Sequence, residues 1–197
     1  HAEIKVYSGF TFDSENVGNV LTGNILGDGS LELHVYYLRN TYTLTYLVDG
    51  EEYFTDNYKF QEEITALAAP VKAGYQFDGW VNLPQYMPAE DIVVSADFSL
   101  IEYTINYQLN GGEFAHPQQV KYNITSNFQI ANPLREGYDF LGWTFAGQEE
   151  PIIDFKITPG RTGDLDLVAN WKAIDYIIQY FDGGDLLLLE PNTFTIE

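Results

Sequence analysis

A glycine followed by aromatic residues spaced two apart recurs three times in this chain, and no other feature restricts its fold so tightly. The complete form is Gly74-Tyr75-Gln76-Phe77-Asp78-Gly79-Trp80 and Gly137-Tyr138-Asp139-Phe140-Leu141-Gly142-Trp143, with a shortened copy at Gly9-Phe10-Thr11-Phe12. The intervals are 65 residues from Gly9 to Gly74 and 63 from Gly74 to Gly137, long enough for one small domain per repeat. A leading glycine suits a backbone turn, and the spacing of two delivers the aromatics to one face of a strand. That face is expected to be the core. The second glycine, Gly79 or Gly142, stands where a strand normally carries a side chain, which predicts a bulge or a close backbone approach beside Trp80 and Trp143.

Three further runs alternate apolar and polar residues and end on an aromatic: Leu31-Glu32-Leu33-His34-Val35-Tyr36-Tyr37, Ile92-Val93-Val94-Ser95-Ala96-Asp97-Phe98 and Leu165-Asp166-Leu167-Val168-Ala169-Asn170-Trp171. Each reads as a half-buried strand, and Tyr37, Phe98 and Trp171 are equivalent positions. Five residues after each comes a strand opening on tyrosine, at Tyr42, Tyr103 and Tyr176. Asp49-Gly50, Asn110-Gly111-Gly112 and Asp182-Gly183-Gly184 follow these strands, so each is expected to fold back as a hairpin. The return strands are expected near residues 53–60 and 119–122. Residues 62–67 and 126–130 have room for one helical turn at most. The connections 38–41, 99–102 and 172–175 contain neither Gly nor Pro and restrict the angle between neighbours.

This organisation divides the chain into the back half of a repeat at 1–38, whole units at 39–99 and 100–172, and the front half of another at 173–197. The anchors of the units are Gly9, Phe12, Gly74, Tyr75, Phe77, Gly79, Trp80, Phe98, Gly137, Tyr138, Phe140, Gly142, Trp143 and Trp171. Fifteen Tyr and thirteen Phe against one Met favour sheet over helix.

Nine Lys and Arg against 29 Asp and Glu give a formal net charge of −20, which repels phosphate backbones and anionic lipid surfaces. Nucleic acid and direct membrane insertion are therefore poor partner assignments. The start, His1-Ala2-Glu3, lacks the basic and apolar regions of a signal peptide, so any export signal or anchor is expected outside this segment. With no cysteine, disulfides, thiolate metal sites and a thiol nucleophile are excluded together.

Candidate chemistry is sparse. His1, His34 and His116 are the only imidazoles, their spacing matches no zinc motif, and solvated side chains explain His34 and His116. The pairs Glu62-Glu63 and Glu149-Glu150 read as loop charge. Gly27-Asp28-Gly29 and Gly160-Arg161-Thr162-Gly163-Asp164 lack both the phosphate-loop lysine and the ligand spacing of an EF-hand. Turn chemistry accounts for both, with weak calcium binding at the acidic surface as the alternative. Tyr36, Tyr53 and Tyr86 suit either sugar stacking or packing between units.

Taken together, these residues resemble the internalin B-repeat, or Listeria/Bacteroides repeat, of bacterial surface proteins. The best copy is 103–171, where Asn110-Gly111-Gly112, Pro133-Leu134-Arg135-Glu136-Gly137-Tyr138, Phe140-Leu141-Gly142-Trp143 and Gly163-Asp164 follow the family pattern. Residues 42–98 look like a divergent relative that keeps Gly74-Tyr75 and Gly79-Trp80 and ends on Phe98 instead of tryptophan. Residues 7–40 are similar to the ends of repeats found near mucin-binding-type modules. The resemblance implies compact β-grasp (ubiquitin-like) modules, mainly β, in an elongated tandem array on the surface or in the cell wall of a Gram-positive bacterium. It carries no catalytic residue and no cofactor.

The expected function is a non-enzymatic extracellular stalk or spacer that contributes to adhesion, with host or cell-wall glycans or proteins as partners. The alternative is a carbohydrate- or mucin-binding module in its own right. The two ends are complementary halves of one repeat, which predicts head-to-tail association of residues 173–197 of one molecule with residues 1–38 of the next.

Overall fold

In the computed structural model, which describes residues 1–186 and 192–194, every regular element is a strand and no helix forms among those residues. The chain divides into two compact units, His1–Lys72 with Gln76–Ser99 and Ala73–Tyr75 with Leu100–Glu197.

The first unit is built on β1 (Phe10–Phe12), β2 (Tyr37–Arg39), β3 (Thr41–Val48), β4 (Glu51–Lys59), β5 (Tyr75–Val81) and β6 (Ile92–Leu100). Asp49 and Gly50 take φ of 53° and 85°, the left-handed pair that a two-residue hairpin needs, and they turn β3 back into β4. A four-stranded sheet follows in the order β4-β3-β6-β5. At its centre β3 and β6 run parallel, with Leu44 opposite Ile92 and Tyr46 opposite Val94. The alternation of β3 puts Leu44 and Tyr46 inward, where they form a core with Ile64, Met87 and Val94.

In the second unit the strands are β7 (Tyr103–Gln108), β8 (Lys121–Tyr122), β9 (Phe128–Gln129), β10 (Tyr138–Phe145), β11 (Gln148–Ile152), β12 (Lys156–Ile157), β13 (Leu165–Ala173), β14 (Tyr176–Ile178), β15 (Phe181–Asp182), β16 (Asp185–Leu186) and β17 (Asn192–Phe194). The main sheet has the order β11-β10-β13-β7-β8. Again the first and last strands of the repeat are parallel neighbours, with Ile105 opposite Leu165 and Tyr107 opposite Leu167. The core gathers Ile105, Ile130, Trp143, Ile157, Leu167 and Ala169, all nearly or fully buried.

Two expectations are corrected in this frame, and the room for at most one helical turn at residues 62–67 and 126–130 is taken up by strand pairing. Residues 31–36 do not form the strand that their alternation suggests: His34 makes one bridge to Val20, and the ladder starts only at Tyr37. A run of this kind becomes a ladder in the whole repeats because a parallel neighbour receives its backbone groups, and residues 1–38 contain no such neighbour. Residues 62–67 and 126–130 contain no helical turn. Glu63 bridges Tyr86, and β9 pairs with β12, so strand pairing satisfies those backbone groups instead. The connections are also shorter than four residues, because the strands extend into them: Asn40 alone separates β2 from β3, and residues 101–102 separate β6 from β7. Each connection is tied back to its turn glycine, since the N–H groups of Asn40, Ile101 and Ile174 donate to the carbonyls of Gly9, Gly74 and Gly137 at 2.8, 3.0 and 2.9 Å.

At the end of the chain Gly183 and Gly184 have φ of 60° and 106° and close a tight β15–β16 hairpin, while β14 pairs with β17, Tyr176 opposite Phe194. Leu187 and Leu189, expected on an exposed edge of this tail, lie outside the described residues.

Candidate functional site

The organising motif becomes one aromatic ladder per repeat. In the second unit the Trp143 ring is fully buried, with centroids 5.4 Å from Phe140, 5.8 Å from Tyr107 and 6.0 Å from Phe114. Phe140 continues the ladder to Trp171 at 5.3 Å, and Trp171 Nε1 donates to the Leu109 carbonyl at 2.9 Å. Gly112 lies under that indole, where a Cβ would meet Trp171 at 2.3 Å. The register against β13 shifts between Phe140 and Gly142, and a Cβ on Gly142 would meet the Ile152 backbone at 2.7 Å. Both the bulge and the close approach expected beside the tryptophan are thus present.

The first unit keeps the ladder and changes its exposure. Trp80 is partly exposed, lies 4.7 Å from Tyr46 and 5.3 Å from Phe77, and its Nε1 donates to the Leu67 carbonyl at 2.9 Å. The Trp143 Nε1 has no such partner. Phe77 meets Phe98 at 5.7 Å. The half-repeat shows the same pairing between Phe12 and Tyr37, at 6.0 Å, in the register that joins Phe140 to Trp171. Gly79 has φ of 145° but open space around it. Gly9 abuts the Phe60 ring, where a Cβ would collide at 2.3 Å. Gly74 is buried, Gly137 takes a positive φ of 74°, and Tyr75 and Tyr138 are partly buried.

Several frame residues carried no assignment in the sequence. Asp91 and Asp164 accept the backbone N–H of Thr43 and Thr104, each at 2.7 Å, so the acid that opens the last strand holds the start of the first. The recurrence of Asp91-Ile92 and Asp164-Leu165 was the available signal. Lys72 and Arg135 also play matching parts. Lys72 Nζ lies 2.6 Å from Asp49 and 5.1 Å from the Phe98 centroid, whereas Arg135 donates to the Asn110 carbonyl at 3.0 Å and stacks 3.6 Å over Tyr138. Either cation braces the hairpin turn against an aromatic.

The other candidate groups have structural uses. His34 lies 3.5 Å from Glu32, and the His116 carbonyl accepts from Gln118. Glu62 accepts the Lys59 N–H at 2.7 Å. Asp28 accepts from the Ser30 hydroxyl and N–H, and the hydroxyl first of all holds its carboxyl below the usual range. Burial pushes the Tyr107 phenol up to about 12 and raises Tyr46, Tyr58 and Tyr122. Among the described residues no three His, Asp or Glu side chains gather to hold a metal ion. The clefts are shallow. One of about 490 Å³ lies between the β10–β11 hairpin and β13, lined by Thr144, Gln148, Asp166 and Asn170, and one of about 280 Å³ lies at Gly111, Leu134 and Arg135. Tyr36, Tyr53 and Tyr86 are 44%, 53% and 51% exposed.

Compared with known proteins, residues 42–101 and 103–170, well over half of the chain, match the Listeria–Bacteroides repeat domain. Internalin H of Listeria monocytogenes is 30% identical over 148 residues, 70% of this chain and 26% of that protein. Two proteins of Evansella cellulosilytica, provisionally named as a membrane protein and a Gly-rich membrane protein, are 25% and 24% identical over 85% and 95% of this chain and 27% and 24% of their own lengths. The chain thus spans about a quarter of each relative. No helix among its described residues is long and apolar enough to cross a membrane.

Proposed function

The chain belongs to the Listeria–Bacteroides repeat family, and from that premise we propose that it is a non-enzymatic segment of a bacterial surface protein, outside the cell, that spaces and presents other parts of its parent. The family match and the likeness to an internalin support a surface-protein repeat. The whole repeats are β-grasp modules in this reading, supported by mixed sheets in which the first and last strands are central parallel neighbours. The observation that carries the spacer role is the connection: one or two residues join successive strands, and the first N–H is bonded to the turn glycine behind it. Short, tied links of this kind are what the spacer reading expects.

Solution scattering on dilute protein tests the spacer reading. A compact 197-residue globule has a radius of gyration of about 16 Å. A clearly larger value is expected, and one near that figure overturns the tandem spacer.

A second reading, a module that binds neutral glycans, is favoured by one observation. The exposed Tyr53 ring lies 6.4 Å from Trp80 at an interplanar angle of 33°, an arrangement on which a sugar face can stack, and the charge of −20 disfavours anionic glycans. On a glycan array a spacer is silent. Binding that disappears in Tyr53→Ala supports the second reading, a carbohydrate- or mucin-binding module.

A further inference from the structure

The first unit presents an open strand edge of a kind that the second unit blunts. β4 pairs along its length with β3 and has no neighbour on its other side among the described residues. All of its nine residues except Tyr58 are exposed, and none is proline. In the second sheet the edge strand β8 covers two residues, and the opposite edge, β11, contains Pro151, both devices that keep a further strand away. The direction of the β4 backbone groups follows from its partner. The Thr43 N–H points away from β4 to Asp91, at the start of β6, so Tyr42, Leu44 and Tyr46 face β4, and Tyr58, Asp56 and Phe54 face back. Thr55 and Asn57 therefore turn their N–H and carbonyl groups outward. The Asn57 N–H donates to the carboxylate of Asp56 at 2.8 Å, and the Lys59 N–H to that of Glu62 at 2.7 Å. Tyr53 is the extra residue of a bulge, since Tyr46 pairs with Phe54 and Leu47 with Glu52. A bulge re-aims side chains, and here Tyr53 lies 6.4 Å from Trp80 while Phe54 lies 6.3 Å from Tyr46, which itself packs on Trp80. Two consecutive exposed aromatics thus share one side of the edge.

We propose that the β4 edge is a docking site for an extended, lysine- or arginine-bearing segment of another protein, which adds as a strand beside Thr55 and Asn57 and lays its cationic stems over Tyr53 and Phe54. This goes beyond the spacer reading by giving the first repeat a partner of its own. The occupant's charge follows from the groups already on the edge. An incoming carbonyl that takes the Asn57 N–H releases the Asp56 carboxylate, and Glu51 and Glu52 stand on the same strand. A cation on the added strand pairs with these acids, whereas a neutral segment leaves them unpaired and an acidic one is repelled. A second copy is disfavoured on the same ground, because β4 beside β4 sets like charges together and the chain carries a net charge of −20. The long apolar stems of lysine and arginine suit exposed aromatic rings, with the cation held over a ring face. Strand addition supplies the backbone bonds, and the aromatics and acids select the side chains.

The probe is an end-capped peptide alternating lysine and valine, matched to the nine residues of β4, with serine–valine and glutamate–valine peptides of the same length beside it. Each is titrated into the full-length protein. The lysine peptide is expected to bind at least about tenfold more tightly than either of the others and to slow hydrogen exchange at the Thr55 amide by more than about tenfold. Thr55→Pro removes the outward N–H and leaves the ladder to β3 in place. It is expected to weaken the lysine peptide about tenfold while circular dichroism keeps the parent spectrum. Should proline unfold the unit, the exchange measurement on the parent protein decides. Asp56→Asn is expected to reduce the preference for lysine over serine by about threefold or more. No binding of the lysine peptide, equal binding of all three, a preference unchanged in Asp56→Asn, or lysine binding with Thr55 exchange unaltered overturns the proposal, the last by reducing it to charge attraction without strand pairing. A sugar stacked on Tyr53 uses no backbone donor, so failure here leaves the glycan array and the scattering test of the spacer untouched.

Discussion

Trp143→Ala is expected to unfold the second repeat at a cost of about 3–5 kcal/mol, the usual range for deleting a core aromatic. The ring is fully buried and meets Tyr107, Phe114 and Phe140, so its removal leaves a void at the junction of three strands and a loop. Its Nε1 has no hydrogen-bond partner, and the loss is therefore one of packing alone. A domain of about 60 residues has little stability in reserve. Calorimetry on the whole chain should show the transition of the second unit move far down or vanish, while the first, followed through Trp80 fluorescence, stays in place. A melting profile like that of the parent would show that Trp143 carries no structural load.

The second large effect separates two glycines that occupy the same place in the motif. Gly142 and Gly79 have φ of 129° and 145°, so alanine at either introduces backbone strain of about 1–3 kcal/mol. At Gly142 the new Cβ would also lie 2.7, 2.8 and 2.9 Å from three backbone atoms of Ile152, which adds a packing cost of roughly 1–3 kcal/mol. At Gly79 it meets nothing within 4 Å. Gly142→Ala should therefore lower the stability of its unit about twice as much as Gly79→Ala lowers that of the first, as read from the two transitions of the parent chain. Equal shifts would mean that backbone conformation alone decides, and that the approach of Ile152 relaxes freely.

The contrast between these glycines also marks where sequence reasoning ends. The motif announces a glycine beside a tryptophan in both repeats, but the crowding at Gly142 comes from the β10–β11 hairpin, which the first unit's sheet lacks. Hairpins were legible because Asp49-Gly50 and Gly183-Gly184 specify their own left-handed turns. The anchor aromatics were legible because a spacing of two selects one face. What needed the fold was everything decided by a distant partner. Residues 31–36 alternate like a strand yet form one bridge, because a ladder also needs a neighbour. Met87 is 1% exposed in the first core although nothing local marks it. Asp164 reads as part of a turn, and only the parallel pairing of β7 with β13 brings it to the Thr104 N–H. Trp80 and Trp143 look alike in sequence and differ in burial, and only Trp143 lies opposite a further strand, with Ile152 of β11 beside it, that the first unit's sheet lacks.

The parallel pairing of first and last strands has a mechanical consequence. The polypeptide enters each whole repeat at the N-terminal end of β3 or β7 and leaves at the C-terminal end of β6 or β13, and the two members of each pair are hydrogen-bonded neighbours. Tension along the chain therefore pulls the paired strands past one another lengthwise. The bonds joining residues 44–47 to 92–95, and residues 105–108 to 165–168, are loaded together, whereas an antiparallel terminal pair would open one bond at a time. Rupture under shear requires the simultaneous failure of a whole ladder, so the lifetime of a repeat under load is set by its unfolding barrier.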